Sequence, residues 1–138
     1  VMPDSARGTT RAAAKEFVRY YVAVMSYATR TGDTDLLRAA SSKQCSACNS
    51  IAKSLEEIRD AGGRVETADL VVKHIVVDSV GPDGTLLLVA DVSVPPQKVF
   101  ETGSSEPQTF SGIDSDPHHF TLTKSNNGWT VTSLRYER

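Results

Sequence analysis

The order of hydrophobic patterns predicts an α+β fold, with N-terminal helices packed on the concave face of one curved antiparallel sheet. Three observations carry this. Apolar residues recur at spacings of three and four only over residues 10–61. After Gly62 and Gly63 the pattern turns to runs of Val, Ile and Leu separated by turn residues. Helices and strands are therefore segregated rather than alternating, which excludes a doubly wound sheet.

Residues 1–10 are small and polar and are expected to be a flexible linker, leaving 11–138 as the single folded domain. From Thr10, the residues Phe17, Tyr20, Tyr21, Val24, Met25 and Ala28 fall on one helical face. Gly32 ends that helix, and Asp33 or Thr34 is placed to cap a short second one carrying Leu36, Leu37, Ala39 and Ala40. Ser41 or Ser42 is placed to cap a third helix, whose apolar stripe is Cys48, Ile51, Leu55 and Ile58. Gly62-Gly63 stop it.

Residues 65–80 read as one strand and 85–94 as its hairpin partner across the turn Gly81-Pro82-Asp83-Gly84. Pro95-Pro96 break the second strand. Residues 101–109 read as a loop, and 110–113 and 118–124 as short strands. Asn126-Asn127-Gly128 is a hairpin-turn signal, and 129–137 is the closing strand.

Composition excludes some functions. The 138 residues suffice for one domain with a core, and 39% are hydrophobic against 23% charged. A net charge of −2 lacks the basic footprint of a nucleic-acid binder and argues against electrostatic docking on an anionic membrane. No apolar run approaches the ~20 residues of a membrane span. Val1-Met2-Pro3-Asp4 has neither a charged nor an apolar signal region, so it is not itself a signal peptide. G-x-S-x-G, P-loop, dinucleotide and H-E-x-x-H patterns are all absent, and no cofactor is expected.

The two cysteines, Cys45 and Cys48, are three positions apart. A zinc site usually needs four ligands, and only His74 and the adjacent His118-His119 are available to complete one. On a strand, adjacent histidines point to opposite faces, so no metal site is expected. A thioredoxin-type redox centre follows a strand, whereas this motif lies between two helices. A structural disulfide fits better. Residues i and i+3 in a first helical turn have Cα atoms ~5–6 Å apart, within disulfide range. Free thiols are the expectation for a reducing compartment.

Among other candidates, strict alternation puts His74 with Val72 and Val76, so it is expected to point inward. Across the hairpin, Asp91 either faces it as a general acid–base partner or lies on the solvent face opposite Leu88, Ala90 and Val92. The candidate interior pocket is bounded by Phe17, Tyr21, Val24, His74, Asp91 and Trp129. These side chains are expected to fill it below the ~300 Å³ of a ligand site. Contact would then fall to the loop at 101–109. His118-His119 read as a surface strand start after Pro117, and Asp114 and Asp116 lack the EF-hand pattern.

The stretch from the F-x-x-Y-Y helix (Phe17, Tyr20, Tyr21) through Gly32-Asp33-Thr34-Asp35 and the C-x-x-C to Ala61-Gly62-Gly63 resembles an uncharacterised family of actinobacterial predicted lipoproteins. The resemblance covers the first half of the chain. It implies export and attachment to the outer face of the cytoplasmic membrane by a lipidated cysteine upstream of Val1. The topology also resembles the NTF2-like, or cystatin-like, cone, which isomerases, dehydratases, binding subunits and inert partner domains share. Fold alone therefore does not choose among them. The function expected is a non-enzymatic cell-envelope module that binds an unknown envelope protein or small ligand. It would bind no nucleic acid, and would meet the membrane only through its anchor. The alternative is a small cone-fold isomerase or hydrolase using His74 and Asp91.

Overall fold

A computed structural model describes residues 2–103, 106–125 and 128–136. A 3-10 turn at Asp4–Ala6 precedes α1 (Arg11–Thr31), α2 (Asp35–Ala39) and α3 (Ser46–Asp60). The strands are β1 (Gly62–Thr67), β2 (Val71–Val80), β3 (Leu86–Val94), β4 (Gln97–Thr102), β5 (Gln108–Phe110), β6 (Ile113–Ser125) and β7 (Gly128–Tyr136). Helices followed by curved antiparallel sheets make the α+β arrangement expected. The strands divide into two ladders, β1-β4-β5 and β2-β3-β6-β7, where the sequence predicts one sheet.

The division has a local cause. Residues 68–70 leave the strand conformation opposite Pro95-Pro96, which cannot donate to a ladder. The hairpin therefore bends at one level on both arms. Thr67 pairs with Gln97 on one side of the bend, and Val71 with Ser93 on the other. The run at 65–80 is thus two strands in two ladders. Gly62-Gly63 end α3 as expected, but they also begin β1.

α1 starts where Thr10 Oγ1 accepts the amide of Ala13 (3.0 Å) and stops at Gly32, whose φ of 78° is a left-handed turn favouring glycine. Its buried side is wide: Phe17, Val18, Tyr21, Val22, Val24 and Met25 all lie inside, while Tyr20 is half-buried at the margin. They meet Leu88, Ala90 and Val92 of β3, Phe120 and Leu122 of β6, and Val131 and Leu134 of β7 in one core. Residues 2–10 are not the free linker expected. Ala6 is fully buried, Met2 packs on the core, and Trp129 Nε1 donates to the Thr10 carbonyl (3.2 Å).

The cap of α2 falls among the residues expected, and that of α3 does not. Asp33 Oδ1 accepts the Asp35 amide (3.1 Å), while the Thr34 hydroxyl is turned to Glu56 of α3. α3 is capped by Cys45, whose Sγ accepts the Cys48 amide (3.2 Å), and not by Ser41 or Ser42. Ser42 instead ties the chain to β7 through its amide, which donates to the Val131 carbonyl (2.8 Å).

Three clasps fix α3: the tie to β7, the Arg59 guanidinium donating to the Gly32 carbonyl (2.9 Å), and a two-pronged Arg38–Glu56 pair (2.7 and 2.8 Å). The hydrogen bonds from Arg38, then from Thr34, hold the Glu56 carboxyl down to about 2, against an ordinary 4.5. A lowered carboxyl stabilises the fold above its unfolded pKa and loses that contribution as pH falls towards 2. Glu56→Gln should therefore lower the Tm at pH 6, and the gap to wild type should close by about pH 2. An equal gap at both pH values in thermal melts would rule this clasp out.

Candidate functional site

α3 stands off the sheets along part of its length, and there Ile51, Leu55 and Ile58 of its apolar stripe are only half-buried. The space beneath is a cleft of about 360 Å³. α1 contributes Met25 and Thr29, α3 contributes Ser50 and Ser54 beside that stripe, and β1, β3 and β4 contribute Val65, Val94, Gln97 and Val99. Leu70, His118 and Tyr136 complete it. Among the described residues, no Asp, Glu, Lys or Arg lines the cleft. It exceeds the ~300 Å³ that a small-molecule site needs, and it lies apart from the interior expected to be filled. Of the six residues expected around a pocket, Phe17, Tyr21, Val24 and Trp129 lie in solid core instead, and none of the six lines the cleft.

His118 is the buried polar group of the cleft, only 2% exposed. Its Nδ1 lies 2.8 Å from the Asp116 backbone oxygen. A carbonyl only accepts, so Nδ1 carries the proton. The ring meets Tyr136 edge-on, with centroids 4.4 Å apart, and stacks at 6.3 Å on Phe120. This corrects the reading of His118 as a surface strand start. Asp116, His118, Phe120 and Leu122 alternate inward along the thirteen-residue β6. Counting back by twos from Phe120 and Leu122 would have found His118. Pro117 hid it by reading as a strand breaker. Pro117 nevertheless sits within β6, opposite Asp91 of β3.

His74 is where alternation misleads. β2 pairs Val72 with Val92 and His74 with Asp91, so Lys73 is an extra residue, a bulge. The bulge shifts the frame: Val72, Ile75 and Val77 turn to the core, while His74 and Val76 turn to solvent. The His74 side chain is 68% exposed and that of Asp91 20%. They do face each other, His74 Nδ1 lying 3.9 Å from Asp91 Oδ2, on the outer face of the sheet opposite Leu88, Ala90 and Val92. The Ser115 hydroxyl donates to the other Asp91 oxygen (2.6 Å). The carboxylate thus stands between serine and imidazole.

Cys45 and Cys48 form a disulfide with Cα atoms 5.3 Å apart, both buried at the start of α3. The bonded pair offers no thiolate to a metal. The loop it closes is very short, so chain entropy assigns it about 2 kcal/mol. Cys45→Ala/Cys48→Ala should fold and melt several degrees lower. A variant that does not fold would show that the bond organises more than one helix start.

The 101–109 segment is only partly loop: Glu101 and Thr102 belong to β4, and Gln108 and Thr109 to β5. Ser104 and Ser105 lie outside the described residues, as do Asn126 and Asn127 of the expected turn.

The model of DUF6318, a family of unknown function, matches residues 1–135. No curated protein matches the chain. Among solved structures, the intermembrane space region of the chloroplast protein ARC6 is similar over 94% of this chain and 97% of its own, at 14% identity and a TM-score of 0.65. Aln2 from a Streptomyces species is similar over 95% of this chain and 94% of its own, at 12% identity and a TM-score of 0.58. A five-substitution variant of Rd1NTF2_05 aligns over 90% of this chain and 99% of its own, at 13% identity and a TM-score of 0.46. At such identities the likeness to ARC6 and Aln2 concerns the fold alone.

Proposed function

This chain belongs to the DUF6318 family, and we propose that it is a non-enzymatic binding domain, held outside the cell by a lipid anchor upstream of Val1, with the cleft under α3 as its ligand seat. The observation that carries the reading is the cleft: about 360 Å³, mostly apolar and without a formally charged acid or base in its lining. Such a lining favours a neutral, largely apolar molecule, because a buried charge would find no partner there. At ~30 Å³ for each water-sized atom, the volume takes about a dozen non-hydrogen atoms. The extracytoplasmic placement is supported by the resemblance of the first half to predicted lipoproteins. The disulfide agrees with it, since such bonds persist in oxidising compartments.

A thermal-shift and NMR screen of small neutral apolar compounds tests the seat. Hits should perturb Leu55, Val99 and Tyr136, and Leu55→Trp, which fills the cleft from its wall, should abolish them. Hits that survive Leu55→Trp, or a screen without hits, would sink the reading. The location is tested by fractionating cells that express the chain with its native upstream sequence. The reading expects a membrane-associated, externally protease-accessible product, and a cytosolic one would contradict it.

A further inference from the structure

α1 is so deeply packed that its exposed residues form one narrow seam. Arg11, Lys15, Arg19, Ala23 and Tyr27 follow one another at steps of four, and Arg30 closes the seam. At 1.5 Å per residue, the span from Arg11 to Arg30 is about 28 Å. α1 carries four cations and one acid, in a chain whose net charge is −2. Charges farther apart than a Debye length of ~8–10 Å are screened, so a docking partner meets the seam and not the total. Three acids do reach it, Asp33 at the Tyr27 hydroxyl and two at arginines. Glu16 lies 3.9 Å from Arg19, and Asp69 lies 2.8 Å from Arg30. Both pairs are exposed and worth little, so either arginine can exchange its partner for another anion.

A second feature lies alongside. Between α1 and the start of β2 runs an open groove of about 400 Å³, floored by Val22, Ala23, Leu70, Val71 and Val72 and edged by Arg19, Ser26 and the Arg30–Asp69 pair. Val71 is 56% exposed, and Lys73, the bulged residue farther along β2, is also exposed. Tyr27 adds an amphipathic ring, with its hydroxyl donating to Asp33 (3.4 Å). Cations in a row beside a shallow apolar floor, with a tyrosine at one end, match a surface whose outer layer is anionic and whose next layer is apolar.

We infer that the α1 seam and its groove dock the domain on an anionic lipid bilayer. The cations contact headgroup phosphates, and Val71 with the groove floor reaches the interfacial layer below. This inference does not depend on the cleft, and it holds for the chain without its anchor.

The test is sedimentation of the unlipidated 138-residue chain with vesicles. At ~0.05 M salt, where the Debye length is longer than in physiological salt, it should pellet with phosphatidylcholine vesicles containing about 30% phosphatidylglycerol, and not with phosphatidylcholine alone. Each Lys or Arg near such a surface contributes about 1 kcal/mol, or roughly fivefold. Arg11→Gln/Lys15→Gln should therefore weaken partitioning more than tenfold with an unchanged melting curve, while Lys53→Gln on α3 should leave it as it was. Retention that is absent, equal on neutral vesicles, or reduced no more by Arg11→Gln/Lys15→Gln than by Lys53→Gln would overturn the inference. So would tighter binding to a DNA duplex at the same salt, which would reassign the seam to nucleic acid. Failure of the ligand screen alone would leave this result standing.

Discussion

Tyr21→Ala will lower the unfolding free energy by about 3–5 kcal/mol, the cost of truncating a buried aromatic whose neighbours cannot collapse. Tyr21 is fully buried. It meets Phe17 at 6.4 Å and Phe120 edge-on at 5.8 Å, so its removal leaves a void between α1 and β6. Marginal domains hold only about 5–15 kcal/mol in all, so the variant should be partly unfolded near body temperature. Tyr21→Phe separates the ring from the hydroxyl. The hydroxyl shares a 2.7 Å hydrogen bond with Ser41, whose own hydroxyl also donates to the Leu37 carbonyl (2.6 Å). Its loss should cost about 1 kcal/mol. Burial pushes the Tyr21 phenol up to about 12, with the Ser41 bond partly opposing the shift. A raised pKa gives stability that is complete below pH 10 and lost as pH rises through 12. Tyr21→Phe should therefore remove part of the alkaline loss. Urea melts at about pH 7 and about pH 11 decide the matter, and identical alkaline slopes would show that the phenol ionises freely.

Gly63→Ala is expected to cost about 3 kcal/mol, at the upper end of overpacking effects. A Cβ at Gly63 would stand 2.1 Å from the Phe100 carbonyl oxygen and 2.7 Å from the Glu101 carbonyl carbon. Both obstacles are backbone of β4, so no side chain can swing aside and β1 must move off its partner strand. The register from Gly62↔Thr102 to Thr67↔Gln97 would loosen along its length. Val65 and Val99, one on each strand, line the cleft, so ligand hits should weaken together with stability. Amide exchange in β1 and β4 should rise well above that in β2 and β3. Uniform acceleration across both sheets would mean that the two ladders unfold as one.

How far this molecule can be read from its sequence depends on whether a feature is local. α1 declares itself through its apolar spacing, Thr10 and Gly32, because a helix is built from contacts within four residues. The β2–β3 hairpin is equally legible through its turn and its Val-rich arms. The frame of β2 is not, because the Lys73 bulge belongs to a pair of strands and not to either one. That single residue moves His74 from the core to solvent. Pro117 misleads for a related reason: it continues the strand by pairing with Asp91 of β3, far earlier in the chain, and nothing local shows that pairing. The cleft was hidden altogether. Ile51, Leu55 and Ile58 form an ordinary apolar stripe, and nothing local says that the facing strands stand away from it.

The fastening of α3 bears on how a guest would enter. The helix is held just before its start by Ser42 on Val131, farther along by Glu56 on Arg38, and at its end by Arg59 on Gly32. A wall pinned in this way is already in its bound position. Binding then forfeits little conformational freedom, and the guest's own rigidity becomes the entropic term that separates strong from weak compounds. Association should need no slow opening step, so related compounds should differ in residence time far more than in their rates of arrival.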